Sequence, residues 1–116
     1  MNPRLVGNEY EEKAVNYLVS QGFQIVERNF TIRGGEIDIV ARDNNYLVFV
    51  EVRFRKSGLA GESIGQMKKM RICRAAHFYL MKRAVSPDSP IRFDVILINT
   101  NGIEHIPNAF SFYSCD

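Results

Sequence analysis

The stretch that decides the fold reads Glu36-Ile37-Asp38-Ile39-Val40-Ala41-Arg42-Asp43-Asn44-Asn45-Tyr46-Leu47-Val48-Phe49-Val50-Glu51-Val52-Arg53. Two β-rich runs, Glu36 to Arg42 and Tyr46 to Arg55, flank Asp43-Asn44-Asn45, a turn composition. Both runs are apolar on both faces, as strands inside a covered sheet are, yet each is interrupted by carboxylates. A two-residue loop at Asn44-Asn45 suits a hairpin, because asparagine tolerates the positive φ such turns need. Asp43 then faces Tyr46, Val40 faces Phe49, Asp38 faces Glu51 and Glu36 faces Arg53. With a side-chain period of two, the last three pairs share one face.

Asp38 and Glu51 would thus have Cβ atoms ~4.5–5.5 Å apart, where like charges destabilise a strand pair. Burial adds to that cost. One carboxyl can stay protonated, a basic side chain can reach in, or a divalent cation can bridge the two. Mg²⁺ favours such a set, one or two carboxylates completed by water and phosphate oxygens. The plainer alternative is a pair splayed at the sheet edge and neutralised by Arg53, with Glu36 and Arg53 as a surface ion pair.

Outward from the hairpin, Tyr10, Ala14, Tyr17, Leu18 and Gln21 follow the spacing of a helix over residues 5–20, ended by Gly22. Phe23 to Ile32 reads as a strand, and Gly34-Gly35 as a turn or bulge. Glu62 to Arg83 reads as a long second helix, with Ile64, Met67, Ile72, Ala75, Ala76, Tyr79 and Leu80 on its buried side. Ile91 to Asn99 is a further strand and Gly102 to Ile106 a short last one. The order α-β-β-β-α-β-β predicts an α/β fold, a central mixed sheet flanked by helices. Glu11 stands at the border of the first helix's apolar face, where it could lean toward Asp38 and Glu51.

The chain has 116 residues, 46% hydrophobic and 24% charged. That suits one domain over residues 1–116, and it excludes a disordered tail. No apolar run is long enough to span a membrane, and no signal peptide is visible. Cys73 and Cys115 lie in no CxxC or Cys/His cluster, which argues against structural zinc and predicts free thiols in a reducing cytoplasm. The net charge is only +2, but it is unevenly placed. Nine Lys/Arg against one Glu fall in residues 53–83, between two acidic flanks. A basic middle third is the footprint expected of a polyanion partner, or of a solvated basic helix face. His77 and His105 have no nucleophile beside them in any recognisable motif, and neither GxGxxG nor a Walker loop is present.

These residues carry a resemblance. Gly7 with Glu11, Ala14 and Tyr17-Leu18, then Arg28-Asn29, Gly34-Gly35-Glu36-Ile37-Asp38, Val48-Phe49-Val50-Glu51-Val52, Lys68, Ala75-Ala76, Arg92-Phe93-Asp94-Val95 and Ala109-Phe110 resemble the uncharacterised bacterial YraN family over nearly the whole chain. That family is similar to the PD-(D/E)XK nuclease superfamily, with a restriction-endonuclease-like fold, and nearest in pattern to archaeal Holliday-junction resolvases. The resemblance implies a catalytic set of Glu11, Asp38, Glu51 and Arg53. It implies Mg²⁺ or Mn²⁺ on Asp38, Glu51 and the backbone carbonyl of Val52, and hydrolysis of DNA phosphodiesters, on branched or repair intermediates. The basic residues Arg55, Lys56, Lys68, Lys69, Arg71 and Arg74 would hold the nucleic-acid backbone. A homodimer follows by analogy, since two strands must be cut.

Arg53 departs from the pattern, standing where the family usually has lysine. Arginine keeps a positive charge near a phosphate but does not readily give up a proton. A nuclease-like module that binds nucleic acid without cutting it is therefore the alternative. Lys68, at the start of the second helix, is a substitute that geometry would allow.

Overall fold

A computed structural model of the chain describes residues 3–55 and 64–115. Its elements are α1 (Pro3–Ser20), β1 (Gln24–Ile32), β2 (Gly35–Asp43), β3 (Tyr46–Phe54), α2 (Gln66–Lys82), β4 (Ile91–Asn99), β5 (Gly102–Phe110) and a closing 3-10 turn, Phe112–Cys115. The strands form one mixed sheet in the order β1-β2-β3-β4-β5. Neighbours are antiparallel except β3 and β4, which are parallel. A parallel neighbour cannot be reached through a tight turn, and α2 makes the crossover.

One helix covers each face, which is why β2 and β3 are apolar on both. Ala14 and Leu18 of α1 pack with Ile39, Ala41, Val48, Val50, Ile96 and Ile98. On the other face, Ile72, Ala75, Ala76 and Tyr79 of α2 pack with Phe30, Ile37, Val40, Leu47, Phe49 and Phe93. The end of α1 is fixed by local chemistry. Gly22 takes φ +91°, and the Phe23 amide donates back to the Leu18 carbonyl at 3.0 Å, a Schellman closure. Leu18 and Phe23 meet in the same cluster.

The expected hairpin register holds where the ladder exists, from Asp43 opposite Tyr46 to Ile39 opposite Val50. Asn44 takes φ +55° at the turn.

Several sequence expectations are corrected. β5 runs on to Phe110 rather than stopping at Ile106, since Pro107 is tolerated on an edge strand and Phe110 stacks on Phe93 at 4.8 Å between centroids. Met67 is 80% exposed; at ~3.6 residues per turn it falls opposite the buried Ala76. α2 begins at Gln66; the predicted start at Glu62 and the loop from Lys56 to Gly61 lie outside the described residues. Cys73 and Cys115 are not free thiols but are bridged, with Cα atoms 6.4 Å apart. The closing turn folds back onto α2 and brings the two together, so cysteine usage carries no argument about compartment. Among the described residues, no helix is long and apolar enough to cross a membrane.

Candidate functional site

The β2–β3 ladder ends at Ile39 and Val50, one residue short of the two carboxylates. Ile37 packs on the α2 side and Ile39 on the α1 side, although period-two alternation would put both on one face. The pleat therefore slips at Asp38. Its carboxylate does the work of a ladder partner, with Oδ2 accepting the Val52 amide at 2.8 Å. β1 is irregular alongside, with a bulge between Ile25 and Glu27 and Asn29 at φ +55°. Where strands lose register, side chains can be re-aimed and a site opened.

Glu51 lies at that opening and is only 4% exposed. Its Oε1 is 3.5 Å from Lys68 Nζ. Its Oε2 is buried and has no hydrogen-bond partner among the described residues. Burial first, and the Asp38 charge second, push the Glu51 carboxyl from an ordinary 4.5 up to about 8. Asp38 is raised too, by burial before all else, with the Val52 amide and Lys68 opposing and the charges of Glu11 and Glu36 adding. Both carboxyls are therefore held above the ordinary carboxylate range, each by its own burial before any neighbouring charge.

Lys68 reaches the site from the first turn of α2 and bonds Glu36 Oε1 at 3.2 Å. This corrects the expected Glu36–Arg53 pair. Past the end of the ladder Glu36 turns to α2, and Arg53 makes no hydrogen bond or ion pair among the described residues. Arg53 instead lines a cavity of about 330 Å³ with Glu51, Val52, Phe54, Gly65 and Lys68. It shares that face with Glu51, two residues away on one strand. Despite burial, Lys68 is held as a cation, raised by Glu51, Glu36 and Asp38.

Glu11 is 8% exposed. Its Oε1 accepts Arg28 Nε at 3.1 Å and Asn29 Nδ2 at 3.0 Å. Tyr10, its neighbour, stacks on Phe54 of β3 at 4.1 Å, which sets α1 across the mouth of the site. Glu11 thus acts on Asp38 through its charge while being held by β1. Sequence reasoning did not assign Arg28 and Asn29 this anchoring role. The signal was available in the odd Arg-Asn step inside a strand.

Of the basic residues expected at nucleic acid, Lys68 lies in the site itself. Arg71 and Arg74 are exposed on α2, and Arg74 Nη1 donates to the Gly34 carbonyl at 3.3 Å. Lys69 is half-buried, with Nζ 5.8 Å from the Phe110 ring centroid. Arg55 follows β3, its amide donating to the Ile98 carbonyl at 2.9 Å, and Lys56 lies outside the described residues. Among the described residues, no three His, Cys, Asp or Glu side chains converge on one point.

A second buried carboxylate provides the contrast. Asp94 is fully buried, yet it is satisfied on every side by Arg92 at 2.8 and 2.9 Å, His105 Nε2 at 2.7 Å and the Asn108 amide at 3.0 Å. Burial alone would raise its pKa, but these donors outweigh burial and lower it. His105 is a packing residue, as expected, set edge-on to Phe23 and 3.2 Å from the Tyr17 hydroxyl through Nδ1. His77 stacks on Phe112.

The fold and this site define an α/β domain with a buried, under-satisfied glutamate, Glu51, next to the half-buried Asp38 and a basic helix. The chain belongs to the uncharacterised protein family UPF0102, whose profile it matches over residues 10–98. A UPF0102 protein of Lachnoclostridium phytofermentans is 45% identical over 116 residues, covering 97% of this chain and 98% of that one. One from Persephonella marina is 50% identical over 107 residues, covering 90% and 91%. Among solved structures, SSO0001 matches 97% of this chain and 55% of its own with a TM-score of 0.50 at 14% identity. The chain thus spans about half the length of that protein, and the likeness is one of fold alone.

Proposed function

We propose that this protein is a metal-dependent endonuclease that hydrolyses DNA phosphodiester bonds, with branched or repair intermediates as its substrates. The observation that carries the reading is the buried Glu51 Oε2 beside Asp38, which has no partner among the described residues. Two raised carboxyls in a cleft are what a functional site stores and a structural one avoids.

The oxygens present fit a hard divalent cation. Asp38, Glu51 and the Val52 carbonyl would hold Mg²⁺ or Mn²⁺, with water and substrate phosphate filling the rest. Bound there, the metal supplies a water of lowered pKa and polarises the phosphoryl oxygen. Glu11 sets the field at Asp38 and orients water at the site's edge. Arg53, without an ion partner among the described residues, lines the cavity and would meet a non-bridging phosphate oxygen. Arg71 and Arg74 continue the positive face along α2, where contacts would be to backbone phosphates rather than bases.

Thermal melting in EDTA, Mg²⁺ and Mn²⁺ tests the metal site. The wild type gains stability with metal because the ligand prefers the folded state; Asp38→Asn and Glu51→Gln gain none. On branched and linear DNA both variants lose cleavage by at least ~10²-fold, the scale of losing a charge-stabilising group. Cleavage that survives both changes would remove the assignment.

Arg53 in the family's lysine position favours a second reading, a module that binds nucleic acid without cutting it. Arg53→Lys decides between them. Cleavage that appears only in that variant marks a degenerate site, whereas equal cleavage in both shows that the arginine suffices.

A further inference from the structure

Lys68 breaks a local rule. The first turn of a helix is the positive end of its dipole, and cations there are unfavourable. α2 nevertheless carries Lys68 and Lys69 in its first turn and has no acid in that turn. Lys68 is compensated from the sheet, by Glu36 Oε1 at 3.2 Å and Glu51 Oε1 at 3.5 Å. Residues that violate local preference and are offset by tertiary contacts mark functional positions. Arg53, although it lines the same cavity, touches neither carboxylate.

Glu51 therefore has two differently treated oxygens. Oε1 faces an ammonium; Oε2 is buried and has no partner among the described residues. A cation on Oε2 and Asp38 would sit beside the Lys68 ammonium and repel it. Glu36, 41% exposed at its side chain, would still hold Lys68 at the cavity wall, within reach of whatever anion enters.

We propose that Lys68 is the resident counter-ion of the Asp38–Glu51 pair, competing with a divalent metal for Glu51, and that metal entry frees its ammonium for a substrate phosphate. This rests on the endonuclease reading for the phosphate alone; the competition concerns only the chain and the metal. It adds a helix-borne positive charge to the one that Arg53 carries on the strand side of the same cavity. Lysine suits the task because its compact ammonium sits on a flexible stem and can swing between two anions, which a planar guanidinium does less readily.

The test uses Mn²⁺ alone and reads its affinity from melting curves. Lys68→Met removes the competitor, so Mn²⁺ binds about tenfold more tightly than to wild type. Lys68→Arg keeps the charge and stays within about threefold of wild type, as does Arg53→Met. These shifts follow from linkage, since two cations that exclude each other weaken each other equally. Affinity in Lys68→Met equal to or below wild type overturns the proposal, as does a larger effect from Arg53→Met. If Lys68→Met fails to fold, Lys68→Gln takes its place with the same expectation. On DNA, Lys68→Met loses at least a hundredfold in Mn²⁺-dependent cleavage although its metal site is fuller. Undiminished cleavage overturns the phosphate role. A wild type that binds Mn²⁺ in competition with Lys68 but cuts no DNA sinks the endonuclease reading and leaves the counter-ion assignment standing.

Discussion

Two carboxylates are buried in this protein to similar depth and treated in opposite ways. Asp94 has a donor on each side and is held below the ordinary carboxylate range. Glu51 has one ammonium, a second oxygen with no partner among the described residues and a like charge beside it, and is pushed up to about 8. The consequences for stability have opposite signs. Between pH 4.5 and about 8 the folded chain holds a Glu51 proton that the unfolded chain has lost. Stability in EDTA therefore falls as pH rises through that window, by at most about 1.4 kcal/mol per pH unit. Glu51→Gln carries no such proton. Its denaturation midpoint should be flatter with pH, and at pH 9 it should exceed wild type by about 2–4 kcal/mol. Asp94 stabilises the fold above the usual carboxylate range and loses that contribution only as pH falls through its depressed value. Asp94→Asn leaves Arg92 and His105 short of an anion and should cost about 2–4 kcal/mol in urea unfolding, with the Mn²⁺ shift intact.

Among the elements, β2 carries the most information. Its first residue, Gly35, lies under α2, where a Cβ would come within 2.5 Å of the Arg71 carbonyl oxygen and 3.1 Å of the Ala75 amide nitrogen. Glycine is required there for close approach of helix and strand, in addition to its part in the turn. That approach lets Lys68 reach Glu36 and Arg74 reach Gly34. Gly35→Ala should lift the helix, lower stability by about 1–3 kcal/mol and weaken the Lys68 contacts, which a reduced Mn²⁺ sensitivity to Lys68→Met in the double variant would register. Three residues further on, the slip at Asp38 turns what would be a continuous ladder into an opening. Asp38 and Asp94 use the same device. Each caps a backbone amide of a neighbouring strand where the regular pairing lapses, Val52 in one case and Asn108 in the other.

At the scale of the molecule, the sheet places the acidic pair at its end between a helix on each face. α1 brings Glu11 from one side and α2 brings Lys68 from the other. The bridge between Cys73 and Cys115 closes 42 residues of sequence and ties the C-terminal turn to α2. Reduction should lower stability by about 2–4 kcal/mol, the scale expected for a loop of that length. Cys115→Ser should melt like the reduced wild type and be insensitive to reductant. Because the bridge anchors the middle of α2 and not its first turn, the Mn²⁺ response should survive in both.

The element order and the hairpin register from Asp43–Tyr46 to Ile39–Val50 were legible in the residues themselves; the ladder pairing of Asp38 with Glu51 was not kept, since Asp38 takes the Val52 amide where the ladder stops. What was legible rests on local chemistry: period-two alternation, an Asn-Asn turn, a glycine after a helix and carboxylates in runs otherwise apolar. Glu11 could be placed on the right helix face by the same periodicity. What local chemistry could not decide was which partners the charges take. Alternation assigned Glu36 to Arg53, but the ladder ends before it reaches them, and the nearest cation then comes from a helix far along the chain. Cys73 and Cys115 met for the same reason, because the last turn folds onto α2. Periodicity sets which way a side chain faces along its own strand or helix. Where a ladder stops, and what another element brings to the gap, is set by the packing of the whole chain, and that packing completed this site.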